Sequence, residues 1–166
     1  VLPPINQLDS ILPYIDSALV LQPEHGSVRA LQVRVFAKLG SADRLTEAAR
    51  TWIATMPLSS DPYREWSAAV KEMGDVNGAR QVREEGAARL GTASLSQEMA
   101  ELAVLDADWP AAAQYWRAAT RENPALLSAA VTNLLQAPMG ARESIVNLLI
   151  ENGNDRLSGR IAADLL

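Results

Sequence analysis

The chain has no cysteine and only one histidine, His25. Without cysteine it has no disulfide, no zinc–thiolate site, no iron–sulfur cluster and no thiol nucleophile. A single histidine likewise excludes a zinc-protease helix, and no nucleophile lies beside His25 in the sequence, so we interpret this residue as part of a surface turn. The segment from Gly74 to Gly78 has neither the spacing nor the lysine of a phosphate-binding loop. We therefore expect a protein without enzymatic activity, cofactor or bound metal.

Long apolar runs and an excess of basic charge are lacking too. No stretch approaches the ~18 apolar residues of a membrane span, and no signal peptide is visible. The formal net charge is −5, from 15 basic and 20 acidic side chains, which argues against general nucleic-acid binding because that usually needs a basic face. These absences fit the periplasm or cell envelope as well as the cytoplasm, so they do not distinguish between these compartments.

The remaining composition is that of a folded chain. Apolar residues make up 48% and charged residues 21%, which argues against a disordered chain. The 166 residues suffice for one sizeable core or for about four to five stacked helix pairs. Because the chain begins at Val1 rather than at methionine and ends within a helical pattern, we expect it to be part of a longer protein.

The stretch from Ala93 to Pro124 predicts two short helices folded back on each other. A turn over Asp108 to Pro110 separates them, since aspartate caps the next helix and proline fits its first positions. Ala112, Trp116 and Ala119 then recur at spacings of four and three, which marks one face of a helix. The small alanines predict a close approach of the two helices, with Trp116 filling the space between them.

Landmark residues recur along the chain at a nearly fixed distance, which is the signature of a stacked helical repeat. Each repeat has a small residue that closes the first turn and a proline or glycine near its end. The step is thirty-four residues from Pro23 to Pro57 and from Gly40 to Gly74, and thirty-three from Gly74 to Ala107 and from Gly91 to Pro124.

This period, with alanine at the inner contact and proline at the end, resembles the tetratricopeptide repeat (TPR) family. The resemblance covers residues 26–124 well and the flanks loosely. It implies an all-α fold, a right-handed α–α superhelix (a TPR-like solenoid) of about 9–11 antiparallel helices. The predicted single solenoid over 1–166 consists of a partial repeat (1–25), clear repeats (26–59, 60–92 and 93–126) and a degenerate repeat with the start of another (127–166).

Several local features carry further predictions. Pro13 predicts a break between a short helix over 5–12 and a second helix over 14–21, since proline removes a backbone donor and clashes with the preceding turn. Near the other end, we expect residues 152–154 to form a turn and Asp155 to cap the last helix. In the first clear repeat, the predicted buried stripe consists of Val28, Leu31, Val35 and Leu39, widened by Val33 and Phe36.

The four tryptophans suggest a surface on which sugars or bases stack. Three of them, Trp52, Trp66 and Trp116, lie in apolar stripes at helical spacing, so we interpret these three as core residues. Trp109 lies at a turn, and we expect it to be the most exposed of the four.

In TPR-like proteins the first helices of successive repeats line an inner, concave groove. Counting from the repeat starts, the expected partner-binding residues on this face are Arg34, Lys38, Arg64, Lys71, Gln97 and Glu101. The four cations would form a basic strip suited to an acidic segment or a C-terminal carboxylate; equally, they are ordinary soluble surface. Ala30 and Gln97 stand where the family's dicarboxylate-clamp members carry lysine or asparagine, so we do not expect binding of chaperone tails.

The resemblance therefore implies a non-enzymatic scaffold or adaptor that binds a protein or peptide on its concave face. Similar repeats occur in larger bacterial envelope proteins, including components of exopolysaccharide secretion. Two alternatives remain: a helical accessory domain of a larger enzyme such as a transferase, and a structural spacer or self-association module. A fold alone does not decide between them.

Overall fold

The structure, a computed structural model, describes residues 5–151 and 156–165. Within these ranges it contains ten α-helices, two short 3-10 turns and no strand, which confirms the all-α class. The predicted turn over 152–154 and the cap at Asp155 lie outside the described residues. The helices are α1 (Ile5–Leu21), α2 (Gly26–Lys38), α3 (Ala42–Thr55), α4 (Asp61–Glu72), α5 (Val76–Leu90), α6 (Ser96–Leu105), α7 (Trp109–Glu122), α8 (Leu127–Leu134), α9 (Met139–Glu151) and α10 (Arg156–Leu165).

The chain forms two compact units, and each has its own core. The first unit extends to Leu90 and contains α1 to α5, and the second begins at Gly91 and contains α6 to α10. None of the helices in the described part of the chain is both long and apolar enough to cross a membrane.

In the first unit α2 is the central helix. It packs against α1, α3 and α4, while α4 also packs against α3 and α5. Because α2 has neighbours on three sides, its buried residues do not form the single stripe that the spacing predicts. Val33, Val35 and Phe36 are buried as expected, but Val28, Leu31 and Leu39 are only half-buried. Arg29, Ala30 and Ala37 are buried in addition.

In the second unit α7 is the central helix. It packs against α6, α8, α9 and α10. Trp116 is completely buried, and Ala112 and Ala119 lie with it in the same core, as their spacing predicts. Ala100 on α6 is also completely buried. The absence of bulky side chains at these alanine positions lets the helices approach closely around one large aromatic ring.

The turns that end α2, α4 and α6 have the same backbone conformation. The second residue after each helix is left-handed, with φ of 67° at Gly40, 91° at Gly74 and 56° at Ala107. In each turn the next amide donates to the carbonyl five residues earlier, from Ser41 to Phe36 (2.9 Å), from Asp75 to Val70 (3.2 Å) and from Asp108 to Ala103 (2.9 Å). This is the Schellman motif. The step of thirty-four and thirty-three residues thus marks equivalent helix ends.

Ala107→Gly should raise the free energy of unfolding by about 0.5–1 kcal/mol, because alanine is strained in the left-handed region by more than glycine loses in chain entropy. Conversely, Gly40→Ala and Gly74→Ala should each lower it by about 1 kcal/mol. A Cβ at Gly40 or Gly74 would meet no atom within 4 Å, so these two substitutions isolate the backbone cost. Urea unfolding measures all three. A destabilising Ala107→Gly would mean that the third turn differs from the first two.

The first helix corrects a prediction. The structure has one continuous helix, Ile5–Leu21, with Pro13 inside it, rather than two helices separated at that proline. Its buried residues Leu12 and Ile15 continue the same face across Pro13, while Pro13 itself is exposed. Packing of this face against α2 outweighs the cost of proline in a helix, about 3 kcal/mol.

Candidate functional site

A cleft of about 1040 Å³ opens on the surface of the first unit. Its lining comes from four places: the loop over residues 22–25 between α1 and α2, α2 from Gly26 to Arg34, the end of α3, and the first half of α4. The cleft is open to solvent, so a bound molecule would lie along it rather than be enclosed. Its lining combines charged, polar and aromatic groups.

Small residues at the start of α2 keep the cleft hollow. Gly26, Ser27 and Ala30 line it, and their spacing places them on one face of the helix. A Cβ at Gly26 would already lie 3.9 Å from Cζ2 of Trp52, which also lines the cleft. Pro23 lies just after the end of α1 and leads the chain into the loop that forms one edge.

The structure brings together two of the six residues expected to bind a partner. Arg34 and Arg64 both line the cleft. Lys38 and Lys71 lie further along α2 and α4, are exposed, and do not line it. The remaining two belong to the second unit, where Nε2 of Gln97 on α6 donates to Oε1 of Glu101 at 3.2 Å. The role of all six in partner binding stays a prediction.

The α2 cations do not form a strip of free positive charge. Arg34 is paired with Glu65 of α4, through Nε to Oε2 at 2.8 Å and a second contact from Nη2 to Oε1. Lys38 is paired with Glu72 of α4 through a single contact from Nζ to Oε1. The hydrogen bond to Glu65 raises the pKa of Arg34. At these two positions the surface therefore carries alternating positive and negative charges, not the expected basic strip.

These ion pairs follow the repeat period. Arg34 and Glu65 are separated by 31 residues and Lys38 and Glu72 by 34. In the same unit, Arg50 of α3 is paired with Glu85 of α5, a separation of 35 residues. An acidic residue 31 to 35 residues after each of these cations, close to one period, was therefore a sequence signal that the cations alone did not reveal. Because these side chains are largely exposed, each pair contributes only about 0–1 kcal/mol of stability.

The lining of the cleft carries both signs of charge. Arg34 and Arg64 provide positive charge, and Glu24, Asp61 and Glu65 provide negative charge. Hydroxyl and amide groups complete the polar part of the lining. Such a surface can hydrogen-bond to a peptide backbone and pair with side chains of either sign.

His25 lines the cleft and precedes the first residue of α2, but its side chain makes no capping hydrogen bond. It is exposed, in agreement with its interpretation as a surface turn residue. Among the described residues, no group of three or more histidine, aspartate or glutamate side chains is arranged to hold a metal ion.

The tryptophans do not form a stacking surface. Trp52, Trp66 and Trp116 are 1%, 5% and 0% exposed, so they belong to the core as predicted. Trp109 is the most exposed of the four, as expected, although it is half-buried and packs against the core of the second unit. The turn at Asp108 brings it there, since Oδ1 of Asp108 accepts from the amide of Ala111 at 3.1 Å and starts α7 at Trp109 itself.

Comparison of the chain with models of known protein families, with curated proteins and with solved structures finds no match. The resemblance to the TPR family rests on the residues and period given above.

Proposed function

We propose that this chain is a non-enzymatic helical-repeat scaffold that binds an extended peptide segment of a partner protein in the cleft of its first unit. The observation that carries the proposal is the cleft itself, which is lined by Arg34 and Arg64, two residues expected on the concave face, together with small residues of α2. A spacer needs no such cavity, so the cleft favours a binding module over a purely structural role.

The repeat supports the scaffold part of the proposal. Three equivalent left-handed helix ends and three ion pairs separated by 31, 34 and 35 residues are typical of stacked helix pairs. On this basis we propose a TPR-like, right-handed α–α superhelix, in which α2 and α4 are the first helices of successive repeats and face the ligand.

The size and openness of the cleft favour a peptide. Its volume of about 1040 Å³ lies just above the range for small-molecule sites, roughly 300–1,000 Å³, and those sites usually bury most of their ligand. An open cleft suits an extended chain that is contacted along one side. Because Arg34 is already paired with Glu65, we do not retain a preference for acidic peptides.

Selection from a random peptide library on the immobilised protein tests the proposal. We expect the selected peptides to bind through the cleft, so that Arg64→Glu weakens binding at least about tenfold, equivalent to ~1.4 kcal/mol. Fluorescence polarisation with labelled peptide measures the Kd. Circular dichroism checks that the variant keeps its helical content.

Lys71→Glu is the matched control. Lys71 lies on the same helix as Arg64, two turns further along, and the substitution makes the same change of charge outside the cleft. Its Kd should equal that of the wild type, because the proposal places the peptide in the cleft and so no longer counts Lys71 among the binding residues. Equal weakening by both substitutions would indicate a nonspecific charge effect, and failure to select any peptide would exclude a peptide-binding cleft.

A further inference from the structure

Arg29 is a buried arginine directly behind the wall of the cleft. It lies on α2 beside Ala30, which lines the cleft, and only 7% of its surface is exposed. Its Nε donates to the carbonyl oxygen of Pro23 at 2.9 Å. Its Nη2 lies 3.5 Å from Oγ1 of Thr55, a long hydrogen bond. The guanidinium therefore contacts the loop after α1 and the end of α3 at the same time.

Arg29 is a buried cation outside the ion pairs found within residues 5–151 and 156–165. In the part of the chain that the structure describes, no carboxylate is paired with it. Burial lowers the pKa of Arg29 from its ordinary value, as expected for a desolvated cation. Even buried ion pairs can often be replaced by apolar side chains of similar size without loss of stability, and an unpaired buried cation has no ion-pair gain to offset its desolvation. Stability alone thus gives no reason for an arginine at this position.

The two acceptors of Arg29 lie on different edges of the cleft. Pro23 belongs to the loop over residues 22–25, and Thr55 is the last residue of α3; both line the cleft. The hydroxyl of Thr55 donates to the carbonyl of Thr51 at 2.8 Å, which orients its oxygen to accept from Arg29. Within the loop, the amide of His25 donates to the carbonyl of Gln22 at 3.1 Å, a local bond that does not fix the loop against α3.

We infer that Arg29 is a positioning residue, which holds the loop over residues 22–25 against the end of α3 and so sets the shape of the cleft. The planar guanidinium suits this role because it presents several donors in a fixed geometry. The part of the inference that concerns ligand binding rests on the proposed function, whereas the fixing of the loop does not.

Hydrogen exchange on Arg29→Met tests the fixing of the loop without any ligand. Methionine keeps the length of the side chain but donates no hydrogen bond, so the amide of His25 should exchange about tenfold faster or more, the usual effect of losing a bond from a charged donor. The melting temperature should stay near that of the wild type or rise, because a buried charge is removed. Wild-type exchange at His25 in the folded variant would overturn the inference.

Arg44→Met is the control, since Arg44 is an exposed arginine of α3 that lies over the ring of Phe36, outside the cleft. In Arg44→Met the amide of His25 should exchange at the same rate as in the wild type. If Arg29→Met does not fold, Arg29→Lys replaces it. Lysine keeps the positive charge and the aliphatic part of the side chain but lacks the planar guanidinium with its several donors. Faster exchange at His25 in a folded Arg29→Lys supports the inference, and wild-type exchange overturns it.

Peptide binding separates this inference from the proposed function. With a peptide selected on the wild type, Arg29→Met should raise the Kd about tenfold, while Arg44→Met leaves it unchanged. Faster loop exchange without any effect on the Kd would overturn the link between Arg29 and the ligand. If no peptide binds the wild type, the proposed function fails, and the exchange rates still decide whether Arg29 positions the loop.

Discussion

Trp116→Ala lowers the free energy of unfolding by about 3–5 kcal/mol, the usual cost of truncating a fully buried tryptophan. The side chain is 0% exposed and lies at the centre of the core formed by α6 to α10. About half of the other residues in this core are alanines, whose short side chains cannot extend into the space that the ring leaves. Urea unfolding followed by far-ultraviolet circular dichroism measures the loss.

Trp116→Phe is the matched variant for this prediction. The indole Nε1 of Trp116 is buried and has no hydrogen-bond partner among the described residues. Phenylalanine therefore removes an unpaired polar group together with part of the ring, and its net cost should be below about 1.5 kcal/mol. If Trp116→Ala cost less than about 1 kcal/mol, the ring would not be enclosed by helices and the repeat register would be wrong.

Trp52→Ala lowers the free energy of unfolding by a similar amount, about 3–5 kcal/mol. Trp52 is 1% exposed, and its edge also forms part of the wall of the cleft. Unlike Trp116, its indole has a partner, because Nε1 lies 3.4 Å from Sδ of Met56. Truncation thus removes core packing, a polar contact and a wall of the proposed site.

Trp52→Phe distinguishes packing from the polar contact. It should cost more than Trp116→Phe, because it loses the contact with the Met56 sulfur, a weak acceptor. Urea unfolding of the four variants under the same conditions gives the comparison. Equal costs for the two phenylalanine variants would show that the contact with Met56 contributes nothing to stability.

The helices were predictable where the sequence repeats. The step from Gly74 to Ala107 identified a third helix end even though alanine does not favour the left-handed conformation found there, with φ of 56°. The period works because equivalent turns must join equivalent helix pairs, whatever residue occupies them. Rules for single residues were less reliable. Proline usually breaks a helix, but Pro13 lies on the exposed side of α1 and leaves the face that packs against α2 intact.

The chemistry of the cleft was less predictable, because it depends on pairs of helices. Arg34 and Arg64 both line the cleft, whereas their place on a concave binding face stays a prediction from the repeat period. The pairing of Arg34 with Glu65 was missed because it joins two helices that a helix-by-helix interpretation treats separately. Arg29 was missed for a related reason. Three helices pack against α2, so Arg29 is buried even though it is charged. A prediction from sequence assigns only apolar residues to a core, because arginine is rarely buried.

Single-cysteine labelling tests the binding cleft most directly, because the chain has no cysteine of its own. Ser27→Cys places a thiol on the lining of the cleft, and Thr46→Cys places one on the exposed surface of α3 outside it. At a concentration about ten times its Kd, a selected peptide should slow maleimide labelling of Ser27→Cys about tenfold and leave Thr46→Cys unchanged. Equal labelling rates for Ser27→Cys with and without bound peptide would contradict binding in this cleft.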